Sequence, residues 1–239
     1  MNFIIPMAGK GQRFVDAGFE NPKPLITAFG KKLFEWSIDS LPLELCSTLI
    51  CIVLKEHCEQ FDLDKAITEK YGHGPYHLKL LILDSVTRGQ AETVALSEHL
   101  WEMDKDLVIF NADTAFESEN LAYDLIHNAG DGLLACFESD ENRFSYARID
   151  EDGIVVETAE KVAISTFTLN GLYHFKSPLD FISTYNYHVS NNLMVNGEYY
   201  VAPMYNYLIF KGKKFRLHTL YKNYILGTPQ ELQDFNPNI

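Results

Sequence analysis

The feature that most constrains this chain is an alternation. Over the first two-thirds, short runs of aliphatic and β-branched residues are separated by helix-length amphipathic stretches. Runs of this kind suit strands buried on both faces, and the stretches between them suit crossover helices, so the pattern predicts a largely parallel sheet flanked by helices. Strands are expected at 2–6, 45–54, 77–83, 106–111 and 132–138, and helices at 32–41, 56–71, 89–103 and 119–129, each bounded by Gly, Pro, Asp or Asn. After residue 138 the periodicity shortens. Segments 145–149 and 154–157 flank Asp152-Gly153 and read as a β-hairpin. Further on, Val201, Met204, Tyr205 and Leu208 fall at helical spacing, so 198–210 reads as a helix with one apolar face. The expected fold class is α/β, with a mixed but mostly parallel sheet and a β-rich C-terminal part. No stretch is rich enough in Gly, Ser or Pro to act as a linker, and one domain over 1–239 is expected.

Charge narrows the function. With 33 acidic against 20 basic residues the formal net charge is -13, which repels phosphate backbones and anionic lipid at long range. Nucleic acid and membranes are therefore not expected as partners. A small anionic substrate requires a local cluster of cations. Cys46, Cys51, Cys58 and Cys136 form no C-x-x-C pair and read as reduced, buried thiols, so zinc is not expected. No export signal and no long apolar run is evident, and the expected location is the cytoplasm.

Four segments carry chemistry. Directly after the first strand comes Pro6-Met7-Ala8-Gly9-Lys10-Gly11-Gln12-Arg13-Phe14. Its glycines allow backbone N–H groups to turn toward an anion, and Arg13 adds a planar fork for phosphate oxygens. The dinucleotide fingerprint fails at Phe14, the P-loop Gly-Lys-Ser/Thr is absent, and a plain tight turn also fits. Next, Asn21-Pro22-Lys23-Pro24-Leu25 presents a lysine from a backbone stiffened on both sides. Third, the aliphatic run Val108-Ile109-Phe110-Asn111-Ala112 ends at Asp113. An acid there suits Mg²⁺ beside a triphosphate, and equally a turn or helix cap. Fourth, Gly89-Gln90 opens a helix, where Gln90 offers donor and acceptor to a base edge and Gly89 lets a base approach the backbone; an ordinary helix start is the alternative.

Taken in order, Ala8-Gly9-Lys10-Gly11-Gln12-Arg13-Phe14, Pro22-Lys23-Pro24-Leu25, Gly89-Gln90-Ala91, Asn111-Ala112-Asp113, Glu160-Lys161, Asn170-Gly171-Leu172-Tyr173 and Gly227-Thr228-Pro229 resemble the nucleotidyltransferases of the sugar-nucleotide pyrophosphorylase family. The resemblance implies a Rossmann-like fold of the nucleotide-diphospho-sugar transferase type, with a nucleotide half (1–138) and an acceptor half (139–239). It implies Ala8, Gly9, Gly11, Arg13 and Lys23 on the triphosphate, Gly89 and Gln90 on the base, and Asp113 on Mg²⁺. Arg13, Lys23 and Lys161 would be the catalytic cations. Lys161 would take the acceptor's phosphate, with Glu160, Asn170, Gly171 and Glu198 around the acceptor. The implied substrates are a nucleoside triphosphate, with CTP, UTP or dTTP favoured, and a sugar 1-phosphate or similar acceptor for surface polysaccharide or capsule precursors. A non-sugar phosphate such as phosphocholine or a phospho-amino acid is the alternative acceptor. The rival classes are a glycosyltransferase and a non-catalytic nucleotide-binding protein. One departure stands out. Where the family usually has an Asp before the Gly-Thr pair, completing its metal site, this chain has Ile225, which cannot coordinate Mg²⁺.

Overall fold

A computed structural model describes residues 1–237; residues 238 and 239, which the single-domain expectation includes, lie outside it. Strand β1 (Asn2–Pro6) leads through helix α1 (Gln12–Asp16) to a short ribbon of β2 (Thr27–Ala28) and β3 (Lys31–Lys32). There follow α2 (Leu33–Asp39), β4 (Thr48–Leu54), α3 (Lys55–Phe61), α4 (Leu63–Tyr71), β5 (His77–Leu83) and α5 (Gln90–Ala95). Next come β6 (Leu107–Ile109), β7 (Thr114–Glu117), α6 (Leu121–His127), β8 (Gly132–Glu138) and the antiparallel hairpin of β9 (Ser145–Ile149) and β10 (Val155–Glu160). The chain closes with β11 (Phe167–Phe175), α7 (Pro178–Ser190), α8 (Tyr205–Phe210), β12 (Phe215–Thr219), β13 (Lys222–Ile225) and α9 (Pro229–Asp234).

Nine strands form one sheet in the order β10-β9-β11-β6-β1-β4-β5, with β8 joining beside β11 and β12 beside β8. The run β6-β1-β4-β5 is parallel, as is β8-β12, whereas β11 is antiparallel to each of its neighbours β6, β8 and β9. The expected mixed α/β class is the one observed.

Successive residues of each central strand feed opposite layers, because the side-chain period of a strand is two. Ile4, Ile50, Ile52 and Ile109 pack under α5, α7 and α8, with Ala91, Val94, Phe181, Tyr205 and Leu208. Phe3, Ile5, Leu49, Cys51 and Val108 pack under α2, α4 and α6, with Phe34, Ile38, Ile67 and Leu121. All seven residues of β4 are buried, as a strand covered on both faces requires.

Several expected boundaries move. The 45–54 strand begins only at Thr48, after a 3₁₀ turn at Leu43–Leu45. The single helix expected at 56–71 is two, broken at Asp62, which takes a left-handed φ of 55°. The helix at 89–103 stops at Ala95 and is followed by a 3₁₀ turn, Glu98–Leu100, that lets Trp101 turn into the core at 7% exposure. Of the expected helix at 198–210 only Tyr205–Phe210 is α-helical, preceded by the 3₁₀ turn Ala202–Met204. Its first residues are instead tied by backbone to another segment, as shown below. The nine-residue β11 and thirteen-residue α7 are additions to the elements expected from the sequence pattern.

Phe175, fully buried at the end of β11, stacks on Tyr205 at 4.6 Å between ring centroids and meets Phe181 edge-on at 5.6 Å. Removing a ring from a site closed by both helices leaves a cavity that cannot fully collapse. Phe175→Ala is therefore expected to cost about 3–5 kcal/mol, read from urea denaturation.

Candidate active site

Beyond the carboxyl ends of β1 and β6, where open α/β sheets place their ligands, lies a cleft of about 650 Å³. Its floor is tied together by an ion pair. The Lys23 ammonium sits 2.5 Å from Asp113 Oδ2, with both side chains about a quarter exposed at 22% and 26%. Burial alone would raise the Asp113 pKa, but the Lys23 charge and hydrogen bond, with donors from its own backbone and Thr114, leave it below the ordinary carboxylate value.

The glycine loop closes against this pair. Gly11 has φ 64°, and a Cβ there would lie 2.9 Å from the Cβ of Lys23. Glycine at this position thus serves both the left-handed turn and the close approach of Lys23. Ala8, Gly9, Lys10, Gly11 and Arg13 all line the cleft. Arg13 is exposed at its mouth and makes no ion pair among the described residues.

Gly89 and Gln90 form a second wall. Gly89 has φ 124°, and a Cβ would come within 2.6 Å of the Tyr199 carbonyl oxygen. The approach is used: Tyr199 N–H donates to Arg88 O at 2.7 Å and Ala91 N–H to Tyr199 O at 3.0 Å. This clasp explains why 198–200 is not helical, and it carries Glu198 and Tyr200 to the cleft wall. Gln90 Nε2 donates to Asn111 Oδ1 at 2.7 Å, and Asn111 packs so closely on Gly171 that a Cβ there would lie 2.1 Å from Asn111 Nδ2.

Gly171 reaches this position through a bulge. The register of β11 against β8 shifts between Leu169 and Tyr173, so Asn170-Gly171 is thrown out of the ladder toward the cleft. Asn170 is 2% exposed; its Oδ1 accepts from Leu172 N–H, while its Nδ2 is buried without a partner. Glu160, 8% exposed, accepts a hydrogen bond from Ser145 Oγ. Burial pushes its pKa up, Glu198 adds to this, and Ser145 and Lys161 oppose it.

The cleft thus gathers Ala8, Gly9, Gly11, Arg13, Lys23, Gly89, Gln90, Asp113, Glu160, Asn170, Gly171 and Glu198. Lys161 is the exception. It stands at φ 58°, and its ammonium donates at 2.6 Å to the hydroxyl of Tyr200, which itself lines the cleft. Burial disfavours the charge, yet the Tyr200 bond and the neighbouring Glu160 and Glu198 hold Lys161 above the usual lysine pKa. Residues not singled out from sequence also line the wall: Arg143, Ser145, Tyr200 and Glu231. Arg143 sits in the acidic run Asp140-Glu141-Asn142, which reads as a solvated loop. Glu231 reads from sequence as part of the helix start after Thr228, whose hydroxyl does accept from Glu231 N–H at 3.2 Å.

Asp113 offers the hard oxygen donor that Mg²⁺ takes, at the edge of the space where phosphates would lie. Gly227 keeps that space open, since a side-chain carbon there would stand 3.2 Å from Asp113 Oδ2. The residues present therefore fit a divalent ion, with Ile225 taking no part. Among the described residues no cluster of three or more His, Cys, Asp or Glu is set to hold a metal, so phosphate and water must complete any coordination.

The chain matches the family described as nucleotidyl transferase over residues 3–209. Among solved structures it is similar to a nucleoside-diphosphate-sugar pyrophosphorylase from Vibrio cholerae RC9, at 32% identity and TM-score 0.85 over 97% of this chain and 98% of that one. It shares its fold with a candidate glucose-1-phosphate thymidylyltransferase from Bacillus anthracis, solved with sucrose, at 19% identity and TM-score 0.78, covering 98% and 93% of the two chains. The inositol-1-phosphate CTP transferase from T. maritima is a further fold relative, at 14% identity and TM-score 0.77, covering 99% and 92%. No curated protein matches significantly. The chain belongs to the nucleotidyl transferase family and is an enzyme of the sugar-phosphate type within it. Such enzymes use a nucleoside triphosphate and a phosphorylated sugar or similar acceptor, commonly with a divalent metal.

The lowered pKa of Asp113 has a definite sign. Its contribution to stability is fully present above its unfolded value of about 4 and is lost as the pH falls through the lower folded value. Thermal melts from neutral to strongly acidic pH should therefore show a shallower acid limb for Asp113→Asn than for the parent; parallel curves would contradict this.

Proposed function

We propose that this cleft transfers a nucleoside monophosphate from a pyrimidine nucleoside triphosphate, CTP, UTP or dTTP, to a sugar 1-phosphate or similar phosphorylated acceptor. The observation carrying this reading is the convergence of the glycine loop, Lys23 and Asp113 on one rim, facing the acceptor-side residues Glu160, Asn170 and Gly171 across a single cleft. We read residues 1–239 as one catalytic unit. Activated precursors for surface or capsule polysaccharide are the products in this proposal. A cytoplasmic setting suits them and the unpaired, mostly buried thiols.

The acceptor phosphate, with a second pKa near ~6, is already a dianion near neutrality, so no general base is needed. One of its oxygens attacks the α-phosphorus. The bond from that phosphorus to the bridging oxygen breaks, and pyrophosphate leaves with the electron pair. The protein's task is positioning and charge compensation. Backbone N–H groups of the glycine loop and Arg13 hold the β- and γ-phosphates, and Lys23 turns from Asp113 to a phosphate oxygen. Gly89 and Gln90 hold the base. A magnesium ion at Asp113, when bound, supplies further compensation for charge on the triphosphate. On the other side Asn170 Nδ2, buried and unpartnered, donates to the acceptor, Glu160 and Glu198 accept from it, and Lys161 orients Tyr200 and adds positive charge. Glu160 and Glu198 side by side also suit an acceptor carrying an ammonium group, which favours phosphocholine or a phospho-amino acid as the second reading.

A pyrophosphate-release screen of each triphosphate against sugar 1-phosphates, phosphocholine and phosphorylated amino acids tests the proposal. A glycosyltransferase or a nucleotide sensor would release no pyrophosphate. In the active pair, Arg13→Ala should raise KM for the triphosphate and Lys161→Ala that for the acceptor. Each change should be about tenfold or more, the size of one lost hydrogen bond to a charged group. Equal losses on both substrates for Lys161→Ala would refute its acceptor role.

A further inference from the structure

Ile225 cannot hold a cation, yet a second acid, Glu231, stands beside Asp113 at this corner of the cleft. The ribbon of β7 and β13 sets Ile225 opposite Thr114, and Leu226 N–H donates to the Asp113 carbonyl at 2.8 Å. The chain then turns through Gly227 into α9, where Thr228 caps the helix by accepting from Glu231 N–H. This brings the Glu231 side chain back over Gly227. A carbon placed on Gly227 would lie 3.2 Å from Asp113 Oδ2 and 3.5 Å from Glu231 Oε2, so both carboxylates border one small open space.

Glu231 Oε1 is held by Arg143, but Oε2 is buried with no hydrogen-bond partner, although Glu231 lines the cleft. An ionised oxygen withdrawn from water without a partner is costly unless a positive ligand completes it. Each acid is anchored by one basic side chain, Arg143 or Lys23; the oxygen bordering the space is the unpartnered one in Glu231, whereas in Asp113 it is Oδ2, which Lys23 must release to a cation.

We infer that Glu231, six residues beyond Ile225, supplies the second protein carboxylate for the divalent cation. The inference rests on Asp113 taking that cation. In this arrangement the second carboxylate comes from the first turn of α9. Gly227 is required because any side chain would fill the space between the two acids.

Mn²⁺ binding to the full chain, followed by the electron paramagnetic resonance signal of the free ion, tests this without turnover. Glu231→Gln keeps an oxygen for Arg143 and should weaken Mn²⁺ binding about 10- to 100-fold, with a melting temperature close to the parent's. Adding Ile225→Asp to that variant should restore binding. Wild-type affinity in Glu231→Gln, or a loss that Ile225→Asp does not repair, would overturn the inference. Asp113→Asn separates the two readings. If Asp113→Asn binds Mn²⁺ as the parent does, or the parent binds none, the assignment of Asp113 itself fails and this inference with it. If Asp113→Asn loses binding while Glu231→Gln does not, only the role of Glu231 fails.

Discussion

The Lys23–Asp113 ion pair is the interaction on which the rest of the site depends. It joins two segments ninety residues apart in sequence, one at the end of a proline-stiffened loop and the other at the end of a central parallel strand. Around it the glycine loop can close only because Gly11 has no side chain to strike Lys23. Being a quarter exposed rather than sealed, the pair is a charged element that an incoming phosphate or cation can reorganise. A fully buried pair would resist that, because separating its members would leave a charge desolvated.

The second constraint is geometric. Three glycines, at 89, 171 and 227, stand where backbone or side chains of remote segments approach within about 2–3.5 Å of where a Cβ would be. Each joins segments remote in sequence: Gly89 to Tyr199, Gly171 to Asn111, and Gly227 to Asp113. The cleft is built by these contacts more than by any one element. This explains how residues from nine separate stretches of the chain can line one cavity.

The charge distribution follows the same logic. A molecule with net charge -13 has a cleft that is balanced instead, where Asp113, Glu160, Glu198 and Glu231 are met by four basic side chains. Lys10, Arg13, Lys23 and Arg143 line the cleft, with Lys161 behind Tyr200. The acidic excess elsewhere does not oppose this strongly, since exposed charges beyond about 10 Å are screened at ordinary ionic strength.

The sequence by itself determined the parallel strand core and the segments bearing Gly11, Lys23, Gln90 and Asp113, because hydrophobic period and glycine or proline punctuation are local properties that survive reading one residue at a time. It also exposed the missing acid at Ile225. It did not reveal β11, whose run is interrupted by Asn170-Gly171, a pair that looks like a turn and is in fact a bulge in a buried strand. Nor could it place Tyr200, Arg143 or Glu231, or show that Lys161 reaches the cleft through a tyrosine. Those positions were decided by tertiary structure alone. The Tyr199 clasp on Gly89 and the guanidinium bridge from Arg143 to Glu231 are contacts between residues far apart in sequence, and no local pattern encodes which distant group a backbone or side chain will meet.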